Sequence, residues 1–171
     1  MLNIEDLLRG GDLRSIGKSN EVVRLIDNQE KFNTLFELLY HGDRKIVMRA
    51  ADAIEKITLY KSIYLEPHKA AVLALCSKAN DKELKWHLAL IVSRLSLSRQ
   101  NISAIYRTLT KWARNKKESK IVRVNSIQTL STLVKEHPDL QQDFYLTLSK
   151  LENENVPSLT ARIKKLKNER Q

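Results

Sequence analysis

Apolar positions along this chain fall into a pattern that returns at a constant offset of thirty-eight residues. The stretch Asp43 to Ile57 (DRKIVMRAADAIEKI) recurs as DKELKWHLALIVSRL from Asp81 to Leu95 and as SKIVRVNSIQTLSTL from Ser119 to Leu133. The offset aligns Ile46 with Leu84 and Val122, Ala50 with Leu88 and Ser126, Ile54 with Val92 and Leu130, and Ile57 with Leu95 and Leu133. Within each copy these columns are spaced i, i+4, i+8, i+11, the apolar stripe of one helix face. One such helix in each period of about forty residues predicts a stacked helical repeat, whose units bury their faces only against neighbouring units.

The rest of the chain supplies the partner helices. A short helix over Ile4 to Arg9 is closed by Gly10 and Gly11, which suit a left-handed C-terminal cap. Asp12 to Lys18 then leads into a helix from Glu21 to Asp27, capped by Ser19 or Asn20. Glu30 to Tyr40 places Phe32, Leu35, Phe36 and Leu39 at helical spacing. Pro67 opens a helix through Lys78, with Ala70, Leu73, Ala74 and Leu75 expected inward. Gln100 to Ala113 presents Ile102, Ile105, Leu109 and Trp112 on one face. Pro138 opens a helix to about Leu151 carrying Leu140, Phe144, Leu148 and Leu151, and a final helix from about Ser158 shows Leu159, Ile163 and Leu166. We read a single domain over 1–171. Its parts are an atypical first repeat over 1–27, regular repeats over about 28–60, 61–97 and 98–136, and a capping repeat over 137–171.

Composition narrows the class. Gly and Pro number only 4 and 3 in 171 residues, too few for the turns of a sandwich or barrel, so the fold is expected to be all-α. No apolar run approaches the roughly 18 residues that span a bilayer. The opening MLNIEDLLRGGD is acidic where a signal peptide is basic, so a cytoplasmic protein with no membrane association is expected. The single Cys76 has no partner for an internal disulfide and falls in an apolar helix, where packing is its expected role. The formal net charge of +10 is concentrated in the middle third. Residues 61–120 hold 13 Lys/Arg against 4 Asp/Glu, whereas residues 1–60 hold 9 against 10 and residues 121–171 hold 8 against 6. A localised basic surface implies an acidic partner.

The second helix of each regular pair resembles the HEAT repeat: an acidic residue in the turn, a branched apolar residue followed by a basic one, then small and large apolar residues on the packed face. Asp81, Leu84-Lys85, Leu88-Ala89 and Val92 carry it, as do Ser119, Val122-Arg123, Ser126-Ile127 and Leu130. Asp43, Ile46, Ala50-Ala51, Ala53 and Ile54 follow, with Val47 in the basic position. Phrases such as GGDLRSIGKSNEVV and RAADAIEKI are similar to small bacterial HEAT-repeat proteins without an assigned activity. The resemblance implies an all-α, right-handed α-α superhelix (an armadillo-like solenoid) of about five HEAT-like helix pairs, used as a scaffold or binding surface. It implies no reaction, because a fold does not fix a function.

Two candidate surfaces emerge. The first reading is a non-enzymatic scaffold that binds an acidic segment of a partner protein through its concave surface, and the alternative is sequence-nonspecific nucleic-acid binding through a basic ridge. On a helical wheel Trp86 and Leu90 fall opposite the core stripe, flanked by Arg49, His87 and Arg94. A Trp rimmed by donors suits an anchor for a partner segment, and it also suits a seam between helices. Arg107, Lys111, Arg114, Lys116, Lys117, Lys120 and Arg123 form a basic ridge suited to successive phosphates of DNA or RNA, and equally to a solvated turn. Lys85 and Arg123 also occupy the basic HEAT position, four residues after Asp81 and Ser119, where bracing of the turn is expected. His41, His68 and His137 lie near turns with no acidic third ligand, so no metal is expected, and no cofactor. Catalytic motifs are missing, and Asp52 and Glu55 are the one carboxylate pair near the inner face. No enzyme activity is expected. A third reading compares the chain with HEAT-like DNA glycosylases that excise alkylated bases. It rests on architecture, charge and Trp86 alone, and no catalytic Asp carries over. Oligomeric state is not encoded in any of these patterns.

Overall fold

The computed structural model describes residues 3–11 and 16–169. Within these residues the chain forms ten α-helices and no strand. They are α1 (Ile4–Leu8), α2 (Ser19–Leu25), α3 (Gln29–Glu37), α4 (Arg44–Thr58), α5 (Lys69–Lys78), α6 (Lys82–Ile91), α7 (Arg99–Arg114), α8 (Lys120–Glu136), α9 (Gln141–Glu152) and α10 (Pro157–Asn168). Consecutive helices pair as expected for an all-α helical-repeat fold. Short 3₁₀ turns extend several of them at Leu38–Tyr40, Ser62–His68, Val92–Arg94 and Pro138–Leu140.

Local chemistry sets the boundaries. Asn28, Asp43, Ser98 and Ser119 each accept a hydrogen bond from the first turn of the helix they precede, satisfying a donor that the helix itself leaves open. Gly10 and Gly11 follow α1 at φ 76° and 62°, a conformation L-residues avoid. The second helix begins at Ser19, two residues before the expected Glu21, with Lys18 at its cap. Asp12 to Ser15 lie outside the described residues.

The chain packs as two compact units, residues 1–71 and 72–171, and α5 runs across the division. In the first unit α4 is the centre, packed by α1, α2 and α3. Its Ala50, Ala51 and Ala53 are fully buried and let neighbouring backbones approach closely. Beside it the His68 ring stacks on Phe36 at 4.0 Å, and His68 Nε2 lies 2.7 Å from Asn33 Oδ1. In the second unit α6, α8 and α10 lie side by side in one layer, with α7 and α9 packed against α8 on the other side. Thr129 Oγ1 on α8 donates to Ala89 O on α6 at 2.5 Å, tying the layer across its seam.

All twelve residues of the four aligned columns are buried, from Ile46 and Val122 at 0% exposure to Leu95 at 8%. One expectation fails. Ala70 and Ala74 are exposed and Leu73 and Leu75 half-buried, while Val72 and Cys76 are the buried pair of α5. The preceding segment, Ser62–His68, winds as 3₁₀ helix at about three residues per turn, so α5 starts out of phase with a helix begun at Pro67.

Candidate functional site

Helix α6, which packs against α8, carries Trp86 and, one turn later, Leu90. Both are half-buried. Asn125 Nδ2 donates to the Trp86 main-chain O at 2.9 Å, and Arg162 Nη1 donates to Gln128 Oε1 at 2.6 Å, so polar side chains bond α8 to α6 and to α10. Arg94 is half-buried at the end of the 3₁₀ turn that follows α6.

Two residues expected with Trp86 are placed otherwise. Arg49, in the first unit, has 0% exposure. Its guanidinium donates to Leu8 O at 2.7 Å and to Gly10 O, closing the end of α1, and Gly17 lies against it. His87 is buried at 6%, its ring edge-on to Trp86 at 5.4 Å between centroids. The physical reason is the angle of their column. Position 49 lies three residues, about 60° short of a full turn, from Ile46, so it faces sideways to an adjacent helix pair rather than outward. Asn125, in the same column, shows this directly by bonding across to α6. Nor are Asp52 and Glu55 an open carboxylate pair, since Ser19 Oγ and Lys56 Nζ both donate to Asp52.

The basic HEAT positions are structural, with partners the sequence pattern did not single out. Lys85 Nζ on α6 pairs with Glu118, and it stands 5.7 Å from the centroid of the Trp112 ring. Arg123 on α8 donates through Nε to Ala113 O and through Nη2 to Glu154, both at 2.7 Å. In each case a buried cation reaches the turn within the following helix pair, 33 or 31 residues on, instead of bracing its own cap at Asp81 or Ser119. The signal available in the sequence was the lone carboxylate, Glu118, in an otherwise basic turn. Arg123, 3% exposed and paired, is therefore withdrawn from the basic ridge.

The other six ridge residues stand in solvent. Arg107, Lys111 and Arg114 follow one face of α7 at i, i+4, i+7; Lys116 and Lys117 occupy the turn, and Lys120 starts α8. None of the six forms an ion pair with a described residue. Beside them runs an open groove of about 760 Å³, lined by Tyr106, Arg107, Thr110, Lys111, Arg114 and Asn115 on the α7 side and by Leu140 and Asp143 at the start of α9. Burial, reinforced by the nearby Asp143 carboxylate, holds the Tyr106 phenol above its ordinary range, and the phenol donates to Leu140 O at 3.5 Å. Among the described residues, no helix is long and apolar enough to cross a membrane. No group of three or more His, Cys, Asp or Glu among them is placed to hold a metal ion.

No curated protein and no solved structure matches this chain. A family model does: the HEAT repeat domain aligns with residues 8–169, nearly the whole sequence, and so covers both the aligned columns and the buried Lys85 and Arg123 positions. The chain belongs to the HEAT repeat domain family.

Proposed function

We propose that this protein is a non-enzymatic cytoplasmic scaffold whose second unit binds an acidic segment of a partner protein on the open face of the α6, α8 and α10 layer. The observation that carries this reading is the pairing of half-buried Trp86 and Leu90, one helical turn apart on α6, beside polar side chains of α8 and α10. An aromatic side chain with one face available and an apolar neighbour is the usual form of an interface anchor. Arg94 and Arg162 flank it with positive charge, which selects for carboxylates on the partner. The test places a photoreactive amino acid at position 90 and compares its cross-linked products in cells with and without Trp86→Ala. A dominant protein adduct that disappears with Trp86→Ala, while the melting temperature stays within a few degrees, is expected. An adduct pattern indifferent to Trp86→Ala refutes the site.

A second reading, binding of a nucleic-acid backbone by the basic ridge, is favoured by a separate observation: six neighbouring cations are exposed with no ion-pair partner among the described residues. Charge that is not neutralised within the chain is available to phosphates. Changing Lys116, Lys117 and Lys120 to Glu is expected to abolish binding equally across sequences, and a strong sequence preference surviving that change contradicts the mechanism. No geometry described above supports the glycosylase reading.

A further inference from the structure

We infer that the α7 groove of the second unit is a docking site for the backbone of double-stranded nucleic acid, an inference that rests on the second reading above. Three observations point to it.

The first is the arrangement of charge. At about 1.5 Å of rise per residue, Arg107, Lys111 and Arg114 are separated along α7 by about 6 and 4.5 Å. A strand of duplex DNA presents one phosphate per about 3.4 Å of axis, so this row of about 10 Å, laid along that axis, spans roughly three phosphate steps. Lys116, Lys117 and Lys120 continue the positive surface through the turn to the next helix.

The second is what the groove does with its own polar groups. Asp143 is the one carboxylate among its lining residues, and no described lysine or arginine pairs with it; the Tyr106 phenol donates instead to Leu140 O at 3.5 Å. Asn115 Oδ1 accepts from Lys117 N, which turns the Nδ2 donor of that side chain to other use. Along the same helix Ser103 and Thr108 return their hydroxyls to Arg99 O and Ala104 O. Thr110, between Arg107 and Lys111, does not. Its buried Oγ1 is the one buried side-chain polar atom without a partner among the described residues, and Thr110 lines the groove.

The third is the kind of ring the groove lacks. Binding of a single strand relies on aromatic faces on which bases stack. Tyr106 and Trp112 on α7 are 6% and 5% exposed, and Trp112 already lies under Lys85. The groove therefore offers cations and hydrogen-bond donors and no stacking platform. Such a surface recognises a backbone held in regular register by base pairing, without regard to sequence.

The test is fluorescence anisotropy of a labelled 20-base-pair DNA duplex and of a labelled 20-residue oligothymidylate, titrated with the intact protein across a range of salt concentrations. Three proteins are compared: wild type; the groove variant Arg107→Gln, Lys111→Gln, Arg114→Gln; and a charge-matched control, Lys135→Gln, Lys150→Gln, Lys164→Gln, at exposed sites outside the groove lining. If six phosphates are neutralised, the logarithmic salt slope on the duplex is about −5, and affinity falls by about a thousandfold between 50 and 200 mM salt. The groove variant is expected to flatten the slope by about 3, whereas the control retains it. Asp143→Asn, which removes the one carboxylate of the groove lining, is expected to tighten duplex binding several-fold.

Tighter binding of oligothymidylate than of duplex, still sensitive to the groove variant, overturns the double-strand assignment and leaves the nucleic-acid reading standing. No binding of either probe at 25 mM salt removes both. Duplex binding lost equally in the groove variant and the control shows net charge alone at work, and the groove assignment fails.

Discussion

Replacing Arg123 by Met tests the buried cation that links α8 to the turn after α9. Methionine keeps most of the buried stem, so the cavity contribution is small. What is lost is a pair of charge-assisted hydrogen bonds, to Ala113 O and to Glu154, both at 2.7 Å. Breaking a buried ion pair from one side typically costs about 3 to 5 kcal/mol, because the remaining charge is stranded. Here the Glu154 side chain is 14% exposed against 4% for Arg123, so the carboxylate regains some water on losing its partner. The lower end of that range, about 3 kcal/mol, is the expected loss for Arg123→Met. Glu154→Gln retains an acceptor for the guanidinium, and about 1 kcal/mol is expected. The double variant should then cost less than the sum of the two by about 1 to 2 kcal/mol. Both tryptophans, Trp86 and Trp112, lie in the second unit, so urea unfolding followed by tryptophan emission reports on that unit. A loss below about 1 kcal/mol for Arg123→Met, or strict additivity in the cycle, would refute the reasoning.

Three further expectations follow from the same structure. Gly17 sits at φ 55°, and a Cβ there meets the Arg49 side chain at 3.2 Å, so Gly17→Ala should destabilise the first unit by about 1 to 2 kcal/mol, read by amide exchange in α4; unchanged exchange would show that Arg49 moves aside freely. Desolvation lowers the His68 pKa below its ordinary 6.5. The neutral ring is therefore the folded form, its contribution is present above about pH 6.5 and is lost as pH falls through the lowered value. A proton NMR titration of His68 giving an upward shift would contradict this. Burial pushes the Cys76 thiol up to about 12, so at pH 8 a disulfide reagent should label it at least about a hundredfold more slowly in the native protein than in urea. Equal rates would mean that α5 opens readily. With the folded pKa raised, that thiol's contribution holds below the unfolded value of about 8.5 and is lost as pH rises toward 12.

The helix faces were legible because a period of 3.6 residues over fifteen positions defines the inward direction without any knowledge of neighbours. The columns led by Ile46, Ala50, Ile54 and Ile57 are buried throughout for that reason. The outward and sideways directions were not separable in the same way. Position 49 differs from position 48 by one step of about 100° on the wheel, and only the location of the adjacent helix pair decides which is covered. In the first unit both Met48 and Arg49 are buried, whereas in the second the equivalent Trp86 is half-buried. Lys85 and Arg123 were readable as structural cations from their place in the repeat. Their partners were not, since Glu118 and Glu154 lie more than thirty residues on and share no local spacing with them. The phase of α5 was hidden for a third reason: nothing in LEPH announces that the chain will wind as 3₁₀ helix before Lys69.

The forward reach of the buried cations also gives the second unit a direction in time. Lys85 leaves the ribosome 33 residues before Glu118, and Arg123 leaves 31 residues before Glu154. At about 5 to 20 residues per second, each waits roughly 2 to 6 seconds for its carboxylate. Until then the charge belongs in water and holds its helix away from a dry seat. A nascent chain arrested before Glu154 clears the exit tunnel should accordingly leave α8 open to protease, and release of a few more residues should close it.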